Sequence, residues 1–155
     1  METKTLKIEM PKGYEVDKEK STFENIVFKK VDDIEIKWNK NYNRVEIKAD
    51  GEHFILDGNP PYCMSWDDAM RFYNNKHRSH TWNLPTVKQL QVVHKYFDEI
   101  NKVIEENDGF LLLKGFYWSN IKLDEFRAWG FNFNYGRVSH DDKNYHYYVR
   151  AVYTL

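Results

Sequence analysis

Tyr117-Trp118-Ser119-Asn120 opens, and Tyr148-Val149-Arg150-Ala151-Val152 closes, the stretch whose composition decides how this chain is read. Two kinds of residue interleave through it. Tyr117, Trp118, Ala128, Trp129, Phe131, Phe133, Gly136, Val138, Lys143, Val149, Arg150, Ala151 and Val152 make a mainly aromatic and aliphatic frame of the kind that packs a core. Between them stand Asn120, Ile121, Leu123, Asp124, Phe126, Arg127, Gly130, Asn132, Asn134, Tyr135, Arg137, Ser139, His140, Asp141, Asp142, Asn144, Tyr145, His146 and Tyr147. Tyr, His, Asn, Ser and Arg at this density make adaptable polar and aromatic recognition surfaces. The frame is expected to build a scaffold and the interspersed residues to bind a ligand.

Within the stretch, Trp129, Phe131 and Phe133 alternate with Gly130, Asn132 and Asn134, so one face of a strand is expected in the core and the other toward solvent or ligand. Upstream the period changes from two to about 3.6. Ser65 stands as an N-cap with Asp68 three residues on, and Trp66, Ala69, Met70 and Tyr73 form one apolar stripe. Thr86 and Gln89 read as a capping box, after which Leu90, Val93, Phe97, Ile100 and Ile104 form one helical stripe that Asn107-Asp108-Gly109 stops. Further upstream, Ile26-Val27-Phe28 reads as a strand. Ile34, Ile36 and Trp38 alternate with charged residues, as do Val45 and Ile47, across a polar turn at residues 39–43. Asp50-Gly51 turns into another strand at His53–Leu56. Strands, two helices and strands, in that order, imply an α+β domain, an order that also allows the first and last strands to lie side by side.

The 155 residues suffice for one domain with a full core, expected over residues 21–155 behind a charged segment at residues 1–20. A net charge of -1, with basic and acidic residues interspersed, gives no field for nucleic acid, and no apolar run is long enough to span a membrane. The charged opening Met1–Met10 lacks the apolar core of a signal peptide, so synthesis in the cytoplasm is expected, with incorporation in a virion as one route out. Cys63 stands alone, which excludes an internal disulfide framework.

Ser65-Trp66-Asp67-Asp68-Ala69-Met70, Trp82-Asn83-Leu84-Pro85-Thr86, Tyr117-Trp118-Ser119-Asn120, Ala128-Trp129 and Val149-Arg150-Ala151-Val152 form an ordered set from about residue 61 to the end. In this the chain resembles the C-type-lectin-like superfamily, in the branch holding formylglycine-generating-enzyme-like and DUF1566 (Lcl C-terminal) domains. The resemblance implies a C-type-lectin-like domain of two helices with short antiparallel strands. Residues 117–152 are also similar to the variable segment of diversity-generating retroelement proteins, in which adenines of Asn codons are rewritten inside a fixed frame. Such a codon can become Tyr, His, Asp, Ser, Ile, Leu, Phe, Arg or Gly, among others, but not Lys, Glu, Gln, Trp or Met. Every interspersed residue named above belongs to the reachable set, whereas Lys122, Glu125, Trp129 and Lys143 do not. The resemblance implies a hypervariable, non-enzymatic protein that binds a protein or glycan on a cell surface.

Enzyme chemistry finds less support. Formylglycine-generating enzymes use a cysteine pair, and Cys63 is alone, with no basic partner nearby in sequence; it is expected to be a small buried hydrophobe. His77-x-x-His80 lacks the helical spacing of a zinc-hydrolase motif and reads as a solvated loop. Asp141-Asp142 beside His140 offers oxygen ligands, but two adjacent acids on a polar loop are more often simply solvated. No catalytic residue, metal or cofactor is expected. The oligomeric state is open.

Overall fold

The alternation at Ile36, Trp38, Val45 and Ile47 forms the expected hairpin, with Ile36 opposite Ile47 and Trp38 opposite Val45. The computed structural model describes residue 9 and residues 14–22, 25–30, 34–74 and 82–155; the His77-x-x-His80 spacing lies outside the described residues. The chain divides into two units, residues 1–33 and 34–155. In the first, β1 (Tyr14–Val16) pairs antiparallel with β2 (Phe28–Lys30), Tyr14 opposite Lys30. Asp17 organises their connection: its N–H donates to the Val27 carbonyl at 2.8 Å, and its carboxylate accepts from the backbone of Glu19 and Lys20.

The second unit runs β3 (Glu35–Asn39), β4 (Arg44–Ala49), β5 (Glu52–Leu56), β6 (Tyr62–Met64), α1 (Trp66–Asn74), α2 (Val87–Lys95), α3 (Phe97–Glu106), β7 (Phe116–Lys122), β8 (Arg127–Asn132), β9 (Arg137–Asp142), β10 (Tyr147–Val149) and β11 (Val152–Thr154). One sheet has the order β11-β5-β4-β3 and the other β6-β10-β7-β8-β9. β10 runs parallel to β7, and the other neighbours pair antiparallel.

This architecture corrects the expected fold class. In place of a two-helix α+β C-type-lectin-like domain, the described residues form a β-rich fold of eleven strands and three short helices. The stripe from Leu90 to Ile104 is not one helix. It breaks at Tyr96, with φ -108° and ψ 27°, where the phenol donates to Asp50 Oδ1 at 3.1 Å in the β4–β5 turn. The break leaves α2 on β7 and β8 and lays α3 over β3 and β4. Phe97, Ile100 and Ile104 keep the apolar phase across it, so periodicity alone cannot reveal it. Among the described residues β1 pairs with β2, and β11 pairs with β5.

The capping signals are realised locally. Thr86 Oγ1 accepts from the Gln89 N–H and Gln89 Oε1 from the Thr86 N–H, both at 3.0 Å, an arrangement that stabilises a helix start by about 1 kcal/mol. Ser65 Oγ accepts from Asp68 N–H at 3.2 Å.

Two cores result. Val45, Ile47, Phe54 and Leu56 pack with Leu90 and Val93 of α2, Ile100 and Ile104 of α3, and Tyr117, Phe131 and Phe133. Trp66, Ala69 and Tyr73 of α1 pack with Leu84, Trp118, Ala128, Val149 and Ala151. The adjacent residues Tyr117 and Trp118 serve different cores, as the pleat of β7 requires, so the middle of the larger sheet is covered on both faces. Arg150, 2% exposed, joins the connections around it. Its guanidinium donates to the carbonyls of Asp57 (2.9 Å), Asn59 (2.8 Å), Phe110 (3.1 Å) and Leu111 (3.2 Å).

Candidate ligand-binding site

The frame residues sort by burial. Tyr117, Trp118, Ala128, Phe131, Phe133, Val149, Arg150, Ala151 and Val152 are buried. Lys143 is buried too, and it is a tie. Its Nζ donates to the Glu125 carbonyl at 3.0 Å and lies 4.9 Å from the centre of the Trp66 ring. Its N–H donates to the Phe126 carbonyl, and its own carbonyl accepts from the Trp66 N–H. One side chain thus locks the β7–β8 connection, the β9–β10 connection and the start of α1 together. Trp129 is half-buried, with the His140 ring edge-on at 4.9 Å, and Val138 is exposed. Gly136 is exposed at φ 63°, a left-handed conformation that favours glycine at this turn.

The interspersed residues are mostly at the surface. Asn120, Ile121, Leu123, Phe126, Arg127, Asn134, Tyr135, Arg137, His140, Asp142, Asn144, Tyr145 and His146 are exposed; Asp124, Asn132, Ser139, Asp141 and Tyr147 are half-buried. Gly130 is buried. A Cβ there would overlap the Tyr117 carbonyl and sit 2.5 Å from the Phe116 ring, so this position belongs with the frame.

These residues do not form one patch. β8 and β9 pair from Arg127–Asp142 at one end to Asn132–Arg137 at the other. Five residue steps at about 3.3 Å separate the two ends by roughly 16 Å. The open end carries Ile121, Leu123, Asp124, Phe126 and Arg127 beside Asp142, Asn144 and Tyr145, and the Phe126 carbonyl accepts from Lys143 N–H. The turn end carries Asn134, Tyr135 and Arg137, whose guanidinium lies 5.2 Å from the Tyr135 ring centre. Phe126, Tyr135 and Tyr145 are 69%, 71% and 57% exposed. Rings this open contribute little to the core and are free to act as anchors for a partner.

Each connection is shaped by one short polar side chain. Asp124 accepts from the backbone of Phe126 and Arg127 and from the Arg127 guanidinium at 2.7 Å, which holds its carboxyl below the usual value. Asn132 Oδ1 accepts from the N–H of Asn134 (3.0 Å) and of Tyr135 (3.3 Å), and Asp142 Oδ1 from that of Asn144 (2.8 Å). Three expected ligand contacts therefore also have turn-forming work. Tyr147 donates to Asp141 Oδ2 at 2.5 Å; desolvation, helped by that carboxylate, pushes its phenol up to about 12. His140 and Asp141 fall on opposite faces of β9 by the pleat.

A family model described as the Lcl C-terminal domain matches residues 32–153. The chain belongs to the Lcl C-terminal domain family. The match covers the three helices, every candidate binding residue and both large sheets except Thr154 at the end of β11. The resemblance drawn from the Trp-x-Leu-Pro-Thr and Val-Arg-Ala-Val motifs holds at this family level. No curated protein matches the chain in sequence.

The Lcl C-terminal domain also shows features that sequence reading missed. Cys63 is exposed on β6, not buried, and partial desolvation pushes its thiol up, away from the thiolate that nucleophilic chemistry needs. A cleft of about 170 Å³ lies against the smaller sheet between Trp38, Arg44, Asp57 and Phe110. A second, of about 140 Å³, is lined by His94, Phe97, Asp98, Lys114 and Phe133, and Gly136 of the β8–β9 turn packs against the same His94 ring. Both fall below the roughly 300–1,000 Å³ of ordinary small-molecule pockets. Each assembles residues from separate elements, so no local motif announces it.

Proposed function

We propose that this Lcl C-terminal domain is a non-enzymatic binding protein, diversified by a retroelement along residues 120–147, that recognises a protein or glycan ligand on a cell surface. The observation that carries the reading is the exposure of the interspersed positions among buried frame residues such as Ala128, Phe131 and Phe133. Every adenine-reachable candidate except Gly130 is exposed or half-exposed. Of the residues beyond that reach, Lys143 is buried as a tie and Trp129 is half-buried against His140. Lys122 and Glu125 are exposed and would be constant members of the same surface. A scaffold whose replaceable positions face water tolerates replacement, since surface substitutions away from structural features usually change stability by about 0.5 kcal/mol or less.

Affinity in such a protein comes from a few aromatic anchors, here Phe126, Tyr135 and Tyr145, among exchangeable polar contacts. Display in several copies, as on a virion, would raise weak single-site affinity. No reaction is proposed, and the raised thiol of Cys63 gives no support to a formylglycine-generating type of chemistry. Deep sequencing of the gene from a growing population tests the reading. Variation confined to codons 120–147 and sparing Trp129, Phe131 and Lys143, with a nearby template repeat differing at adenines, is the expected result. An invariant gene without such a repeat would leave a fixed-specificity interaction module of the DUF1566 type, using the same surface.

A further inference from the structure

The two large sheets end in four edge strands, β3 and β11 in one, β6 and β9 in the other. β6 and β11 have three residues each, and β3 carries Lys37 paired with Glu35. Short length and charged lysines are the ordinary ways of blunting an edge. β9 is the longest of the four, six residues without lysine or proline, Arg137-Val138-Ser139-His140-Asp141-Asp142, in unbroken register with β8; its charges, Arg137, Asp141 and Asp142, sit at its two ends and leave Val138, Ser139 and His140 uncharged between them. Among the described residues β8 is its single neighbour. The Asp142 N–H donates to Asp141 Oδ1 at 2.8 Å, so it points away from β8. Alternation along an antiparallel ladder then turns the N–H and C=O of Val138 and His140 outward as well.

We propose that the ligand of this surface is an extended polypeptide segment that pairs with β9 as an added strand. The inference rests on the ligand-binding reading above and narrows its ligand class from protein or glycan to polypeptide. Strand addition draws affinity from main-chain hydrogen bonds and specificity from alternate side chains. The backbone rail of β9 is the same whatever side chains it carries, so the edge supplies constant affinity while the exchangeable positions supply selectivity. A glycan has no donors and acceptors repeating at ladder spacing. Arg137 and Asp141 lie on one face, two pleats apart. They select a strand with an acidic side chain opposite Arg137 and a basic one opposite Asp141.

The probe is an acetylated, amidated peptide, Lys-Val-Thr-Val-Glu, which in antiparallel register sets its lysine opposite Asp141 and its glutamate opposite Arg137. Amide exchange is followed by NMR at millimolar peptide. The Val138 and His140 amides are expected to exchange freely in the protein alone and to slow about tenfold or more with peptide, while Ser139, bonded to β8, stays unchanged. His140→Pro and His140→Ala both lose the ring contact to Trp129, but only the proline removes the outward donor, and it does so without breaking the β8 ladder; the two are expected to melt alike, with the peptide protection at Val138 lost in the proline variant and kept in the alanine one. Ser139→Pro removes an inward donor and lowers the melting temperature, which checks the register. Absence of protection, or protection that survives His140→Pro, overturns the proposal. So does protection without peptide that grows with protein concentration, which would mean pairing with a second copy. A diversified gene with no peptide pairing would sink strand addition alone; peptide pairing with an invariant gene would sink diversification alone.

Discussion

Replacing Arg150 by methionine keeps a long, flexible side chain in place but removes the guanidinium that joins residues 57–59 to residues 110–111. The loss can be estimated bond by bond. The hydrogen bond to the Asp57 carbonyl is buried, and the other three are part-buried. Taking about 2 kcal/mol for the first and about 1 kcal/mol for each of the rest gives about 5 kcal/mol. Two effects offset this. Arg150 Nε is buried without a hydrogen-bond partner, and burial lowers the pKa of the guanidinium against the opposing pull of Tyr117, Asp57 and Tyr73. Methionine removes both penalties, leaving a net destabilisation of about 3 kcal/mol. Urea unfolding followed by tryptophan fluorescence reads it directly, because Trp118 is fully buried in the folded protein. Amide exchange should also rise at Asn59 and at residues 110–113, ahead of the sheet. A loss below about 1 kcal/mol with an unchanged m-value would refute the idea that this arginine holds the two connections.

Gly130→Ala should cost about 3 kcal/mol by urea unfolding, because the new methyl meets the immobile Tyr117 carbonyl and the Phe116 ring; a near-neutral result would return Gly130 to the exchangeable positions. Replacing Asn134, Tyr145 and His146 together by serine should move stability by no more than about 0.5 kcal/mol, whereas Asn132→Ala alone should cost about 1.5 kcal/mol through the two turn hydrogen bonds it accepts. Equal melting temperatures for these two variants would refute the separation. The hydrogen bond from His53, at 2.7 Å, and that from Asn39 hold the Glu46 carboxyl below its ordinary 4.5. A depressed carboxylate contributes stability that is complete above its unfolded pKa and is lost as pH falls through its folded one. Glu46→Gln should therefore flatten the stability profile below about pH 4.5 while changing its slope little at neutral pH.

Local signals were the legible part of the sequence. The hairpin at residues 35–49 and the Thr86–Gln89 box depend on short-range alternation or hydrogen bonds and appear in the structure, and the frame of residues 117–152 is buried except at Trp129, Gly136 and Val138. The fold class was not legible, because its deciding features are long-range or very short. β6 and β10 are three residues each and pair with one another across more than eighty residues of sequence, too brief for a period to show. The break at Tyr96 is set by Asp50, a partner on another element, and leaves the apolar phase of α2 and α3 intact. The exposure of Cys63 is likewise a long-range matter, since β6 finds its place in the sheet only by pairing with β10. In the candidate site, residue type separated core from surface well but not contact from turn. Asp124, Asn132 and Asp142 look like recognition residues, yet each shapes its own loop.

The division of the candidate site into two ends limits what a ligand can be. Phe126 and Tyr145 stand at the open end of the β8–β9 hairpin and Tyr135 at its turn, with the six residues of β9 between them. A monosaccharide or single amino acid would engage one end and leave the other idle, and the cleft beside the turn end, at about 140 Å³, falls short of ordinary pocket size. A ligand that uses the anchors at both ends must extend over roughly 16 Å along β9. A polypeptide strand meets that requirement with about five residues, and it does so along the one direction in which this surface has unpaired backbone groups to offer.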